Sequence, residues 1–266
     1  MKCLNCNSVK YKKIFKSYNQ VNYVICKECG CHYQNPVIKT DYSKSYWQVS
    51  SDPDGVKRNF QEERVDKIKN FYGNSINLIN KNKNIKVLDV GCGMGFFLSS
   101  LNSTIEKYGI EESQYAVDFI KNNFKDIIIK KGNINDVYNL KLNFDVIMFY
   151  HVIEHLESPS KSIEILKNKL NNKGLLILGT PNIGSFFSKF FGGNYRNYNP
   201  QHLCLYNLGA LRLLMEKNNF YIEKIEKPFF GTKYNNFNNF FRLFNPKKIS
   251  PPFYNSIVTL YLRKRI

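Results

Sequence analysis

The stretch KVLDVGCGMGFFLSSL, Lys86 to Leu101, decides the fold. Its apolar run, Val87 to Val90, has the length and β-branched content of a short buried strand. Gly91, Gly93 and Gly95 then form a bare turn, with Asp89 two residues ahead of the first. From Met94 to Leu101 apolar residues resume at a density that suits a helix. Strand, glycine turn and helix are how α/β proteins receive nucleotides, but three such ligands compete. A Walker-type loop needs Gly-Lys-Ser/Thr, and this turn runs on as Gly-Met-Gly-Phe-Phe. A dinucleotide turn needs its third glycine one place later. Asp89 also sets a negative charge where a pyrophosphate would meet amide donors, and like charges there repel. S-adenosylmethionine reverses that requirement, because it brings an ammonium and a sulfonium and no phosphate.

Beyond the turn, short apolar runs alternate with amphipathic stretches. KVLDV, IEKYGI, DIIIK, FDVIMFY, GLLILGT, YIEKIEK and NSIVTLYLR read as strands. Helices are expected near Met94–Leu101, Gln114–Asn122, Ser160–Leu170 and Leu208–Asn218. Alternation of this kind predicts an α/β chain with a mostly parallel, doubly wound sheet, whose ligands bind outside the carboxyl ends of the strands. Glu111 ends the second strand about twenty residues past the glycines, where a carboxylate can accept from both hydroxyls of a ribose.

VLDVGCGMG resembles motif I of the class I S-adenosylmethionine-dependent methyltransferases. The resemblance implies a Rossmann-like seven-stranded sheet and a cofactor site of Asp89, Gly91, Cys92, Gly93, Gly95, Glu111, Asn133, Ile134 and Tyr150. Asn133 stands where the family usually has an acidic residue facing the adenine amino group; its side-chain oxygen can still accept, and Asp136 is the nearby alternative.

The amino-terminal segment has its own chemistry. Cys3-x-x-Cys6 and Cys26-x-x-Cys29, the latter followed by Gly30, present four thiolates in two knuckles, as a zinc ribbon does. Between them YKKIFKSYNQVNYVI alternates apolar and polar residues like a hairpin. Four thiolates close a coordination sphere, so the zinc is expected to be structural. Cys31 and His32 are spare donors; Cys31 can replace a knuckle cysteine. The chain divides into a ribbon (1–39), a helical bridge (40–84) and a methyltransferase domain (85–266), in which 228–254 is an insertion rich in Phe and Asn. The bridge offers Val65, Ile68, Phe71 and Tyr72 at helical spacing, and Tyr42, Tyr46 and Trp47 as packing or as a cover for the ligand. The insertion is expected to be an apolar lid over the acceptor, an oligomer contact being the alternative.

Three of the four histidines fall in two loops near the expected methyl group. FYHVIEHLESP resembles the HVLEH element of small-molecule methyltransferases, and Pro200, His202, Leu203 and Tyr206 match a P-x-H-L-x-x-[FY] element of the same enzymes. His151, Glu154 and His155 share one side of a helical turn. One reading makes His151 or His202 a general base. A second has Glu154, His155 and His202 hold a divalent ion that polarises the acceptor oxygen. A third leaves Glu154 and His155 as structural. Tyr195, Arg196 and Tyr198 are candidate acceptor contacts or surface loop. Amino-group methyltransferases carry a Pro-Pro-Tyr/Phe element directly after strand four; here SPPF, Ser250–Phe253, lies before the last strand, and oxygen methylation is favoured.

Composition bounds the rest. Hydrophobic residues make up 43% of the chain and aromatics 15%, which suits a globular protein rather than a disordered one. No apolar run reaches membrane-spanning length, the start lacks a secretory core, and seven cysteines suit thiolates kept reduced, so a cytoplasmic chain is expected. The net charge of +18 fits an anionic acceptor, although the lysines are dispersed as on solvated faces. The whole pattern, including Asn35-Pro36, resembles zinc-ribbon-bearing O-methyltransferases of bacterial surface polysaccharides and sugars. It implies a small or carbohydrate-linked anionic acceptor and makes nucleic acid an unlikely partner. An RNA methyltransferase gripping phosphates through the ribbon is the rival, and a cofactor-binding module without catalysis the third possibility.

Overall fold

The computed structural model describes residues 2–38, 50–51, 57–58, 72–229, 235 and 237–265. The ribbon contains β1 (Tyr11–Lys16), β2 (Asn22–Cys26) and β3 (His32–Gln34), and β1 and β2 form the expected hairpin. A two-residue pair follows, β4 (Ser50–Ser51) with β5 (Lys57–Arg58), then helix α1 (Gly73–Asn80). Of the expected bridge only these pieces are described; Tyr42, Tyr46, Trp47, Val65, Ile68 and Phe71 lie outside the described residues.

The main domain then runs β6 (Lys86–Val90), α2 (Phe96–Ser99), β7 (Glu106–Glu111), α3 (Gln114–Asn123), β8 (Ile127–Lys131) and β9 (Phe144–Tyr150). It continues with α4 (Pro159–Lys169), β10 (Leu170–Pro181), α5 (Phe186–Phe191), β11 (Cys204–Leu205) and α6 (Leu208–Lys217). It ends with β12 (Phe220–Glu226), α7 (Phe237–Arg242) and β13 (Ile257–Lys264). Seven strands form one sheet in the order β12-β13-β10-β9-β6-β7-β8. The five strands from β10 to β8 are parallel, and β13 is antiparallel to both its neighbours. Strand order reverses between β6 and β9, so the glycine turn after β6 opens at the point where such sheets bind ligands.

Burial explains these patterns. β6 and β9 are central and covered on both faces, which is why KVLDV and FDVIMFY read as near-continuous apolar runs; β8 is the edge strand and is mostly exposed. Leu88, Ile147, Leu176 and Leu260 are completely buried, each such side chain contributing about 1.5–3 kcal/mol of transfer free energy. Helix α2 is shorter than the expected Met94–Leu101, spanning four residues, because the left-handed Gly95 (φ 74°) is its N-cap.

The amino-terminal segment packs directly on the rest of the chain. Val24, Cys26, Cys31 and Tyr33 share one hydrophobic cluster with Leu88, Ile147, Tyr206 and Leu211 of the main domain. β11, from the loop after β10, adds as a fourth strand to the ribbon sheet by pairing antiparallel with β3. No helix among the described residues is long and apolar enough to cross a membrane.

Candidate active site

A cavity of about 290 Å³ opens at the carboxyl ends of β6, β7 and β9. Gly91, Glu111, Asn133, Ile134, His151 and His155 are among its lining residues. Two of the expected histidines therefore meet four of the expected cofactor residues in one space. The turn is held by the second strand: Glu111 Oε2 accepts from Gly93 N at 2.9 Å and Oε1 from Ser113 N at 2.9 Å. Gly91 has φ 73°, and a Cβ there would stand 2.6 Å from Val152 Cγ2, so a side chain is excluded both by conformation and by space.

Asp89 lies behind this turn, buried beside Glu111. Burial, with the field of Glu111 added, pushes its carboxyl up to about 8, and burial also raises Glu111 despite its two amide hydrogen bonds. Glu111 lines the cavity, whereas Asp89, expected at the cofactor, does not; a carboxyl raised by burial at the cavity wall is stabilised in its charged form by a cationic ligand and not by a phosphate. Asn133 Oδ1 is engaged as a helix cap, accepting from Asn135 N at 2.9 Å while Asp136 Oδ2 accepts from Asn133 N at 2.8 Å. Cys92 and Tyr150 point elsewhere. Both belong to the core cluster behind the turn, and the Tyr150 hydroxyl meets Thr259 Oγ1 at 3.0 Å.

The histidine loops assemble around Glu154, a fully buried carboxylate. The segment after β9 is not an α-helical turn: His151 is left-handed (φ 56°) and Ile153–His155 is a single 3₁₀ turn. The bend turns Glu154 inward, so that Oε1 accepts from His151 Nδ1 at 3.0 Å and Oε2 from Thr180 Oγ1 at 3.0 Å. Burial raises the Glu154 carboxyl, but the hydrogen bond from His151 and the fields of His151, His155 and His202 outweigh it and hold the group at about 2. His155 Nδ1 lies 2.9 Å from Gln201 O, and His202 Nδ1 lies 2.8 Å from Asn197 O. A carbonyl only accepts, so both rings carry their proton on Nδ1 and leave Nε2 as a lone pair. Burial lowers both histidines, His202 to about 4. One ligand atom from each of Glu154, His155 and His202 falls within 4.8 Å of the others, a two-histidine, one-carboxylate set able to hold a divalent ion. His202 itself does not line the described cavity.

The four expected ribbon thiols also converge within 4.8 Å. Cys6 Sγ to Cys26 Sγ is 3.5 Å and Cys3 Sγ to Cys29 Sγ is 3.7 Å, close to the edge of about 3.8 Å of a tetrahedron with zinc–sulfur bonds of about 2.3 Å. Cys31 joins them, 3.2 Å from Cys3 and 3.3 Å from Cys29. Hydrogen bonds from Cys3 and Cys31 hold the Cys29 thiol far below its usual range. His32 turns away to Tyr198, its Nδ1 2.7 Å from the phenol oxygen.

None of the other described candidates lines the cavity. Tyr195 and Tyr198 are buried, the Tyr195 hydroxyl donating to Asn182 O at 3.1 Å. Ser250 of SPPF is buried with its Oγ accepting from Arg196 N at 3.0 Å, and Phe253 packs on Phe187, ring centroids 4.6 Å apart. The described residues of the 228–254 insertion do not line the cavity; Phe237, Phe241 and Phe244 are exposed. Thr180, Tyr23 and Gln34 were not singled out from sequence. Thr180 carried one available signal, its place at the end of a buried strand beside the histidine loop.

This site and this strand order define a class I S-adenosylmethionine-dependent methyltransferase fold. The profile of the methyltransferase-domain family matches residues 58–225, and the chain belongs to that family. The mitochondrial ubiquinone biosynthesis O-methyltransferase of Saccharomyces cerevisiae is 31% identical over 170 residues, 58% of this chain and 52% of that protein. The chain spans about half the length of the curated relatives it matches. Among solved structures, an S-adenosylmethionine-dependent methyltransferase from Archaeoglobus fulgidus superposes with a TM-score of 0.56 at 19% identity, over 77% of this chain and 99% of that one. Magnesium protoporphyrin IX methyltransferase of Synechocystis, with bound S-adenosylhomocysteine, superposes with a TM-score of 0.55 at 15% identity, over 79% of this chain and 89% of its own.

Proposed function

We propose that this chain transfers a methyl group from S-adenosylmethionine to a hydroxyl oxygen, with His151 as general base. The observation that carries the reading is the 3.0 Å hydrogen bond from His151 Nδ1 to the buried Glu154 carboxylate. Holding the proton on Nδ1 aims a basic Nε2 away from the carboxylate, and His151 lines the cavity. Asp89 and Glu111 hold the cofactor, which when bound supplies an electrophilic methyl carbon on a positive sulfur. His151 removes the acceptor's hydroxyl proton as its oxygen attacks, and Glu154 stabilises the resulting imidazolium. Positioning accounts for most of the rate and the base for about 10²–10⁴-fold. The name of the yeast relative supports oxygen as the methylated atom, and the product bound to the Synechocystis neighbour supports the cofactor.

For the acceptor, the reading is a nucleotide- or polysaccharide-linked sugar, or a phosphorylated form of one, in surface-polysaccharide synthesis in the cytoplasm. It rests on the sequence resemblance and on the charge of +18. The names of the ubiquinone-synthesis relatives favour a phenol of quinone synthesis as a second reading. A structural zinc on Cys3, Cys6, Cys26 and Cys29 belongs to the same proposal, supported by the tetrahedral spacing. A divalent ion on Glu154, His155 and His202 is the alternative to the base, favoured by their two unprotonated Nε2 atoms.

The test is methyl transfer from radiolabelled cofactor to nucleotide-sugar, quinol and RNA pools, with wild type and His151→Ala. The expected result is label in the sugar pool and a fall of about 10²–10⁴ in His151→Ala, with cofactor affinity within about twofold. A His151→Ala rate equal to wild type overturns the base. Label confined to quinols or RNA overturns the acceptor. RNA binding would additionally fall steeply with salt.

A further inference from the structure

We infer that Tyr23 and Gln34 are positioning residues, through which the ribbon fixes the His202 loop against Glu154. The ribbon is then a part of the active-site scaffold and not a grip for a macromolecule. This rests on the proposed function, in which Glu154 orients the base His151 and, in the alternative reading, holds a divalent ion together with His155 and His202.

The contacts are concentrated on one short segment. Gln34 is buried, and its side-chain Nε2 donates to Pro200 O at 2.6 Å and to His202 O at 3.0 Å. Its backbone N donates to Leu203 O at 2.8 Å. The Tyr23 hydroxyl is within reach of Asn199 O at 2.8 Å and His202 O at 2.9 Å. Both side chains therefore converge on the carbonyl of His202 itself. The other side of the loop is tied to the methyltransferase domain: Leu203 N donates to Glu154 O at 2.7 Å, and the His155 ring donates to Gln201 O. The loop is thus clamped between the ribbon and the Glu154–His155 turn, through the Glu154 main-chain carbonyl and the His155 ring.

The sequence places these clamps next to the thiol cluster. Tyr23 sits on β2, three residues before Cys26, and Gln34 ends β3, five residues after Cys29. Strands whose ends are fixed by converging thiols present their side chains in one geometry. Asn207 adds a tie behind the loop: its Oδ1 caps α6 by accepting from Ala210 N at 2.8 Å while its Nδ2 donates to Gly30 O at 2.8 Å. Asn199 O also accepts from His202 N within the loop, whereas Pro200 O and His202 O take their hydrogen bonds from the buried donors of the ribbon, as buried carbonyls require partners.

The test uses the full chain with Gln34→Met, which keeps volume and removes the donor, and Tyr23→Phe, which removes only the hydroxyl. Amide exchange of residues 199–203, the ¹⁵N signature of the His202 tautomer and cofactor affinity are read together. The expected result is exchange faster on the order of tenfold at Leu203, whose own bond to Glu154 O stays but whose loop opens more readily once a neighbouring buried hydrogen bond is gone. The His202 ring should also lose its single Nδ1-protonated signature, while cofactor affinity stays within about twofold. Unchanged exchange and an unchanged His202 signature in both variants overturn the inference. If Gln34→Met unfolds, Tyr23→Phe decides by the same readouts. The inference and the catalytic reading fail separately: a loosened loop with unchanged methyl transfer sinks the role of the histidine site and leaves the clamp standing.

Discussion

Asp89 and Glu154 are both buried carboxylates, one behind the glycine turn and one behind the histidine loop; neither lines the cavity, and their proton affinities move in opposite directions. Asp89 is pushed up to about 8 and Glu154 is held at about 2. Burial opposes the charge at both, so burial does not separate them. Their company does: Asp89 faces a second carboxylate, Glu111, whereas Glu154 faces His151, His155 and His202. Among the groups that shift Asp89 there is no cation, whereas Glu154 accepts hydrogen bonds from His151 and Thr180. The two groups are thereby set apart by their neighbours and not by burial.

Asp89→Asn is the sharpest way to break this contrast. With a folded value near 8 against an ordinary 3.8, Asp89 contributes its full stability only below about pH 4 and loses it as pH rises toward 8. Replacement by a neutral isostere is expected to stabilise the ligand-free protein on the order of 2–4 kcal/mol at pH 7, since a tenfold change in proton affinity corresponds to about 1.4 kcal/mol. The same change should weaken cofactor binding on the order of 100-fold. Thermal melts from pH 5 to 8 and calorimetry with S-adenosylhomocysteine measure both. Stability that does not fall with rising pH in the wild type, or a variant that binds as before, removes the basis of the comparison.

Glu154→Gln should do the reverse. The carboxylate's folded value lies below its ordinary 4.5, so its stabilisation is present above pH 4.5 and lost as pH falls toward 2. The variant is expected to lose about 1–3 kcal/mol at pH 7 through the weakened His151 and Thr180 hydrogen bonds, with cofactor affinity little changed. Denaturant titration at pH 7 gives the number. A gain in stability would show that burial, and not the histidines, governs this group.

The turn and the loop also differ in how far the sequence revealed them. The glycine turn is one contiguous stretch: strand, Gly91 and Asp89 lie within six residues, and the constraint on each is local. Glu111 follows at the end of the neighbouring strand. The histidine site is spread over His151–His155, Thr180 and His202, and over Tyr23 and Gln34 in a segment that reads as a separate ribbon. Its residue types were legible and its connectivity was not, because a left-handed His151 turns Glu154 inward where helical spacing puts three side chains on one side. Tyr195 and Tyr198 look like loop aromatics for a similar reason; what buries them is the ribbon, and no local pattern announces a contact across 160 residues or more, such as His32 with Tyr198. Tyr150 and Cys92 occupy the positions the family pattern offers, yet their side chains alternate into the core behind the turn.

Gly91 is where the turn and the loop touch, and it carries the smallest expected effect. A Cβ at this position would meet Val152 Cγ2 at 2.6 Å, and Val152 follows His151 directly. Gly91→Ala therefore adds two costs: a left-handed alanine, about 1–2 kcal/mol, and a push on the turn that sets His151. Val152→Ala removes the obstructing methyl groups and leaves the backbone cost in place. In a double-mutant cycle, Gly91→Ala should lower both stability and cofactor affinity by about tenfold, and adding Val152→Ala should recover only the steric part. Full additivity would mean that Val152 already yields, so that the glycine is needed for its conformation alone and the turn and the loop are mechanically independent. A coupling of more than about 0.5 kcal/mol would tie the seat of the cofactor to the aim of the base through one van der Waals contact.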